Sequence, residues 1–129
     1  MTDARDRSLR PGIAAAADLA VIVLFVVIGR RSHHEDAGFV GFLRVWWPFA
    51  AGLVVAWLGT GLFRAPLAWG RAVPAWLVTV AVGMTLRIVV EGRSLSLAFT
   101  IVTLVFTGVG MLGWRAVVRW VRNRRPATL

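Results

Sequence analysis

Four long apolar runs, separated by short polar stretches, organise the chain. The first goes from Ile13 to Gly29, is interrupted only by Asp18, and is flanked by Arg10 and by Arg30-Arg31. The second goes from about Val45 to Phe63, with Trp46-Trp47 at its edge and Pro48 placed in its first turn, where a missing N–H costs little. The third goes from about Pro74 to Val90 and carries Arg87 near its far end; the fourth goes from Leu95 to Trp114. Runs of about 17 to 20 residues suit roughly 30 Å of hydrocarbon at 1.5 Å per residue.

β-branched residues such as Val21, Val54 and Val78 favour strands in water. In lipid that preference is overridden, because an open sheet leaves unpaired backbone groups and the alternation of a closed barrel is missing. The expected fold is therefore all-α: a single membrane domain over residues 1–129, built as an integral membrane four-helix bundle. A cleaved signal peptide competes for the first run, since Arg5, Arg7 and Arg10 precede it, but no small-x-small site follows Val27 and three more runs come after it. An uncleaved span is expected.

Ten arginines fall on the side of the amino terminus, the second loop and the tail, against five on the other side (Arg30, Arg31, Arg44, Arg87 and Arg93). The positive-inside rule then predicts both termini in the cytoplasm and an inner-membrane, multi-pass location in a bacterial cell. Beyond Trp114, the positions Val117, Val118 and Val121 share one helical face and Arg115, Arg119 and Arg122 the other, so residues 115–125 read as a basic helix extension. Anionic lipid headgroups are its expected partner, at about 1 kcal/mol per arginine.

Composition agrees with the membrane reading: hydrophobic residues make up 58% and charged residues 16%, against about 45–50% and 25% in soluble domains. The net charge of +9 does not point to nucleic acid, because the arginines cluster at the ends of apolar runs. The absence of cysteine excludes disulfides, thiolate zinc sites and cysteine nucleophiles. No phosphate loop, nucleophile elbow or two-histidine helix motif occurs, so neither an enzyme nor a cofactor is expected.

Asp18 is the most informative residue, because a carboxylate inside an apolar span must be protonated, paired or in contact with water. It is either a proton or cation site or, more plainly, a group that holds neighbouring helices in register. Arg87 is its obvious partner in charge, but the two lie toward opposite sides, about 10 Å apart in depth. Arg115 reaches toward Asp18 from the fourth helix instead, and Thr79 lies at a similar depth within hydrogen-bonding range. Ser96, Thr100, Thr103 and Thr107 form one stripe on the fourth helix, matched by Thr79, Gly83 and Arg87 on the third and by Gly52, Ala56 and Thr60 on the second. Such stripes serve as packing seams, or line a polar route for a small solute. His33-His34-Glu35-Asp36 offers metal-ligand types, but with no further histidine or cysteine a solvated loop is expected and no metal site. The loop arginines with Glu91 form a basic patch suited to an anionic headgroup or solute.

Asp18, Gly29-Arg30 with His33 nearby, Trp47-Pro48-Phe49, Gly83-Met84 with Arg87, and Gly113-Trp114-Arg115 stand in an order that resembles a known family, from about Asp18 to Arg119. The chain looks like the small prokaryotic membrane proteins of domain-of-unknown-function family 3054. The resemblance implies a four-helix membrane protein and no particular activity. The expected role is a structural or accessory bundle, with a homo-oligomer as a candidate assembly. The alternative is a small transporter or channel subunit using Asp18 and Arg87, which at this size requires a dimer or larger assembly.

Overall fold

The computed structural model of the chain describes residues 9–32 and 38–124. They form four α-helices, α1 (Pro11–Ser32), α2 (Gly38–Thr60), α3 (Trp69–Val89) and α4 (Leu97–Arg124), with one 3-10 turn (Leu62–Arg64) between α2 and α3. No strand occurs among the described residues. Each helix packs on its neighbours in the chain, and α4 closes the ring against α1. All four are long and apolar enough to cross a membrane.

The core is mainly apolar, but the surface is not that of a water-soluble bundle. Leu58 and Val109 are each 70% exposed, while Asp18, Thr79, Thr103, Thr107 and Arg115 are fully buried. Apolar side chains turned outward and polar ones turned inward cost least when the surrounding solvent is hydrocarbon. The molecule is a multi-pass membrane helix bundle.

The helices and the apolar runs that predict them do not share their ends: α2 stops at Thr60, short of Phe63, and α4 begins at Leu97, after Leu95. α2 begins at Gly38, so Pro48 lies well inside it and not in its first turn; the apolar window closes at Arg44, although a helix carries an arginine near its end by snorkelling. Pro48 is buried and lacks the N–H that would bond the carbonyl of Arg44. α3 likewise starts at Trp69, ahead of Pro74. α4 continues without a break through Arg115 to Arg124, so the basic extension is part of the fourth helix.

α2 and α3 make the closest contact of the bundle. A Cβ at Gly52 would lie 2.6 Å from the Thr79 carbonyl oxygen and 3.1 Å from the Gly83 amide nitrogen. Gly83 in turn faces the Phe49 ring. The small-residue stripes therefore bring two backbones together, as such stripes do in lipid. Phe25 fills the centre, packed edge-on against Phe49 at 5.6 Å between ring centroids and tilted against Phe99 and Phe106. Between α3 and α4, the Trp76 indole donates to the Leu104 carbonyl at 3.2 Å and to Thr107 Oγ1 at 3.1 Å.

The α2–α3 connection turns back into the end of the bundle. Gly61 takes a left-handed conformation (φ 68°) that ends α2. Arg71 Nη1 then donates to the Thr60 and Gly61 carbonyls, placing a cation at the carbonyl end of the helix. Leu62, Ala65 and Leu67 are at most 1% exposed, and Pro66 is buried with them. Irregular backbone at this depth is tolerated only where the protein supplies donors for its carbonyls.

Candidate functional site

Asp18 sits about 10 Å along α1 from Pro11, close to the end of the bundle where α2 finishes and α3 starts. Arg115 reaches it from α4. The two form a bidentate ion pair, with Arg115 Nη1 donating to Asp18 Oδ1 at 2.7 Å and Nη2 to Oδ2 at 2.6 Å, both residues being fully buried. Two indoles complete the carboxylate: Trp57 Nε1 on α2 donates to Oδ2 at 3.0 Å, and Trp114 Nε1 on α4 donates to Oδ1 at 2.9 Å. A carboxylate offers about four acceptor positions, and here each oxygen receives two donors.

The guanidinium is equally engaged. Its Nε donates to the Pro66 carbonyl at 2.6 Å and its Nη1 to Met111 O at 2.8 Å. The Trp114 ring lies 4.4 Å from its central carbon, adding a cation–π contact. One turn further along α4, Arg119 Nη1 donates to the Leu67 carbonyl at 3.0 Å. The arginines of α4 thus supply the donors that the inward-turned loop needs. The site joins α1, α2, α4 and the α2–α3 loop through direct hydrogen bonds. Chemically it is a closed ion pair in which both carboxylate oxygens are engaged by donors.

Other candidate residues go elsewhere. Thr79 donates to the Ala75 carbonyl on its own helix at 2.7 Å and does not bond Asp18. Thr100, Thr103 and Thr107 likewise donate to the carbonyls of Ser96, Phe99 and Thr103. Only Thr107 also accepts across an interface, from Trp76. The stripe is thus chiefly satisfied within α4, because a threonine hydroxyl finds the carbonyl four residues back closer than any partner on a facing helix. Arg87 lies at the opposite end of the bundle from Asp18, its guanidinium 4.1 Å over the Phe99 ring. About 27 Å of helix separates it from Trp69, at 1.5 Å per residue. His33, His34, Glu35 and Asp36 lie outside the described residues.

Around Arg87 two adjoining cavities share Val45 and Arg87 in their linings. One, of about 380 Å³, is mainly apolar; the other, of about 290 Å³, is lined by Arg44, Arg87, Glu91 and Arg93 among others. Trp47 Nε1 donates to Glu91 Oε1 at 3.0 Å across the mouth of α2 and α3. Among the described residues, no group of three or more histidine, cysteine or acidic side chains lies close enough to hold a metal. Of the buried side-chain polar atoms, the indole nitrogen of Trp46 has no hydrogen-bond partner among the described residues.

The sequence pattern singles out Asp18 and Arg115 but not Trp57, Trp114 or the Pro66 carbonyl. Tryptophan near a span end reads as an interface anchor. The available signal was depth: Trp57 stands three residues before the end of α2, at the level of Asp18 on the antiparallel α1. Trp57→Phe removes one donor from a buried carboxylate and is expected to cost about 1–2 kcal/mol. Denaturant unfolding in micelles measures this, and a loss no larger than that of an exposed control such as Trp120→Phe would show the indole to be dispensable.

Neither a curated protein nor a solved structure matches the chain. A family described as "Protein of unknown function (DUF3054)" matches residues 15–118, a stretch that takes in Asp18, Trp57, Trp114 and Arg115 together. The chain belongs to that family.

Proposed function

We propose that the protein is a structural or accessory bundle of the bacterial cell membrane, with both termini in the cytoplasm and the Asp18–Arg115 network as its internal fastening. The observation that carries this reading is the saturation of Asp18, whose oxygens receive four donors from three residues. A coupling carboxylate in a transporter exchanges partners during its cycle; here that would require separating four hydrogen bonds at once in a fully buried site. The separation of Asp18 and Arg87 at opposite ends of the bundle adds support. The role is non-catalytic, exercised through lipid and protein contacts, and the arginines at the end of α4, Arg122 half-exposed and Arg124 exposed, rest among anionic headgroups.

The test is paired. Protein reconstituted in liposomes is expected to pass protons, alkali cations and small anions no faster than empty vesicles, and Asp18→Asn is expected to lower the thermal midpoint in micelles. Flux that disappears in Asp18→Asn while the midpoint stays unchanged would overturn the reading in favour of a conducting role.

A further inference from the structure

The cavities lined by the described residues differ in what they could distinguish. One, about 630 Å³ between α3 and α4, has no charged residue in its lining. Any acyl chain suits such a groove, and nothing in it selects a headgroup. The 380 Å³ cavity is different. Phe25, Val26, Val45, Phe99 and Val102 give it an apolar floor, and Arg30 and Arg87 contribute the charge. Its volume falls within the roughly 300–1,000 Å³ of small-molecule sites. Through Arg87 it adjoins the 290 Å³ cavity, which adds Arg44 and Arg93.

Among the described lining residues of the two cavities, four guanidinium groups therefore face one carboxylate, that of Glu91, which accepts the Trp47 indole. Positive charge is gathered directly beside an apolar recess that reaches about one helical turn deeper, from Arg30 to Val26 on α1 and from Ala98 to Val102 on α4. Arg87 links both parts: its guanidinium rests on the Phe99 ring, and that ring lines the apolar recess. Stacking on an aromatic face holds the planar fork in place, and such a fork matches phosphate oxygens in pairs.

We infer that this end of the bundle binds one anionic phospholipid, its phosphate among Arg30, Arg44, Arg87 and Arg93 and the upper part of an acyl chain in the recess between α1 and α4. The amphipathic pairing of recess and charge fits a lipid better than a free anion. A free anion would use the guanidinium groups and leave the recess unfilled.

Native mass spectrometry of the full chain in neutral detergent tests this, with dioleoylphosphatidylglycerol, dioleoylphosphatidylcholine or inorganic phosphate as probes. One phosphatidylglycerol is expected to be retained in preference to phosphatidylcholine. Arg87→Gln is expected to reduce that retention about five- to tenfold, and Arg87→Lys to restore part of it. Ala98→Trp fills the recess from an exposed position with all four arginines intact, and is expected to reduce retention as strongly. The double variant Arg44→Gln/Arg93→Gln alters only exposed side chains and is expected to weaken retention even if Arg87→Gln fails to fold. Arg122→Gln/Arg124→Gln, at the other end of the bundle, is expected to reduce retention far less than Arg87→Gln, because those arginines meet headgroups with no charged recess beside them. Equal retention of both lipids, or equal loss from the Arg122/Arg124 variant, overturns the site in favour of diffuse attraction. Unaltered retention in Ala98→Trp together with displacement by phosphate overturns the lipid in favour of a free anion.

Discussion

Arg115→Met is expected to destabilise the bundle by about 3–5 kcal/mol. The substitution keeps much of the side chain's length but removes its charge, leaving Asp18 buried with only the two indole donors of Trp57 and Trp114. It also strips the Pro66 carbonyl of its donor in a loop that is turned into the protein. The double variant Asp18→Leu/Arg115→Met is expected to be more stable than Arg115→Met alone, because an apolar pair of similar volume carries no desolvation penalty. Unfolding free energies of the two single variants and the double variant give the coupling energy directly. Additive losses, with no recovery in the double variant, would show that the charges act separately and that the ion pair is not the fastening.

The second large effect is expected at Gly52. Replacing it with alanine puts a methyl group against the Thr79 carbonyl and the Gly83 amide, both backbone atoms of α3 that cannot swing aside. The helices must separate, and the Phe49–Gly83 contact opens with them. A cost of about 1–3 kcal/mol follows from overpacking of this kind. Gly59→Ala on the same helix is the control. Nothing lies within 4 Å of a Cβ there, so this change is expected to be neutral or to stabilise α2 by about 0.5–1 kcal/mol. Thermal midpoints of the two variants side by side distinguish helix propensity from interface geometry. Equal effects would remove the backbone contact from the account of α2–α3 packing.

These expectations divide according to what the sequence could disclose. The four crossings were legible because about 20 consecutive apolar residues have few other physical meanings. The helix ends were less so: Arg44 and Arg115 close an apolar window, yet both lie within continuous helices, because an arginine marks the limit of favourable hydrocarbon and not the limit of hydrogen bonding. Depth arithmetic separated Asp18 from Arg87 and pointed to Arg115. It did not extend to the indoles, since a tryptophan at the membrane interface reads as an anchor whether or not its N–H turns inward. The Pro66 carbonyl was beyond reach for another reason: its position depends on the left-handed turn at Gly61 and the inward fold of the loop, which no periodicity records.

The span of 97 residues between Asp18 and Arg115 bears on how the protein is made. At about 5–20 residues per second, the first helix leaves the ribosome roughly 5–20 s before its counter-ion does. During that interval α1 enters the membrane carrying a carboxylate whose arginine does not yet exist, at an insertion penalty below the roughly 2.5–3.5 kcal/mol of a helix centre, since Asp18 lies nearer one end. The apolar residues of α1 on both sides of Asp18 offset that penalty while the rest of the chain arrives. The network therefore closes only when the last helix is in place, so its formation marks the completion of the bundle.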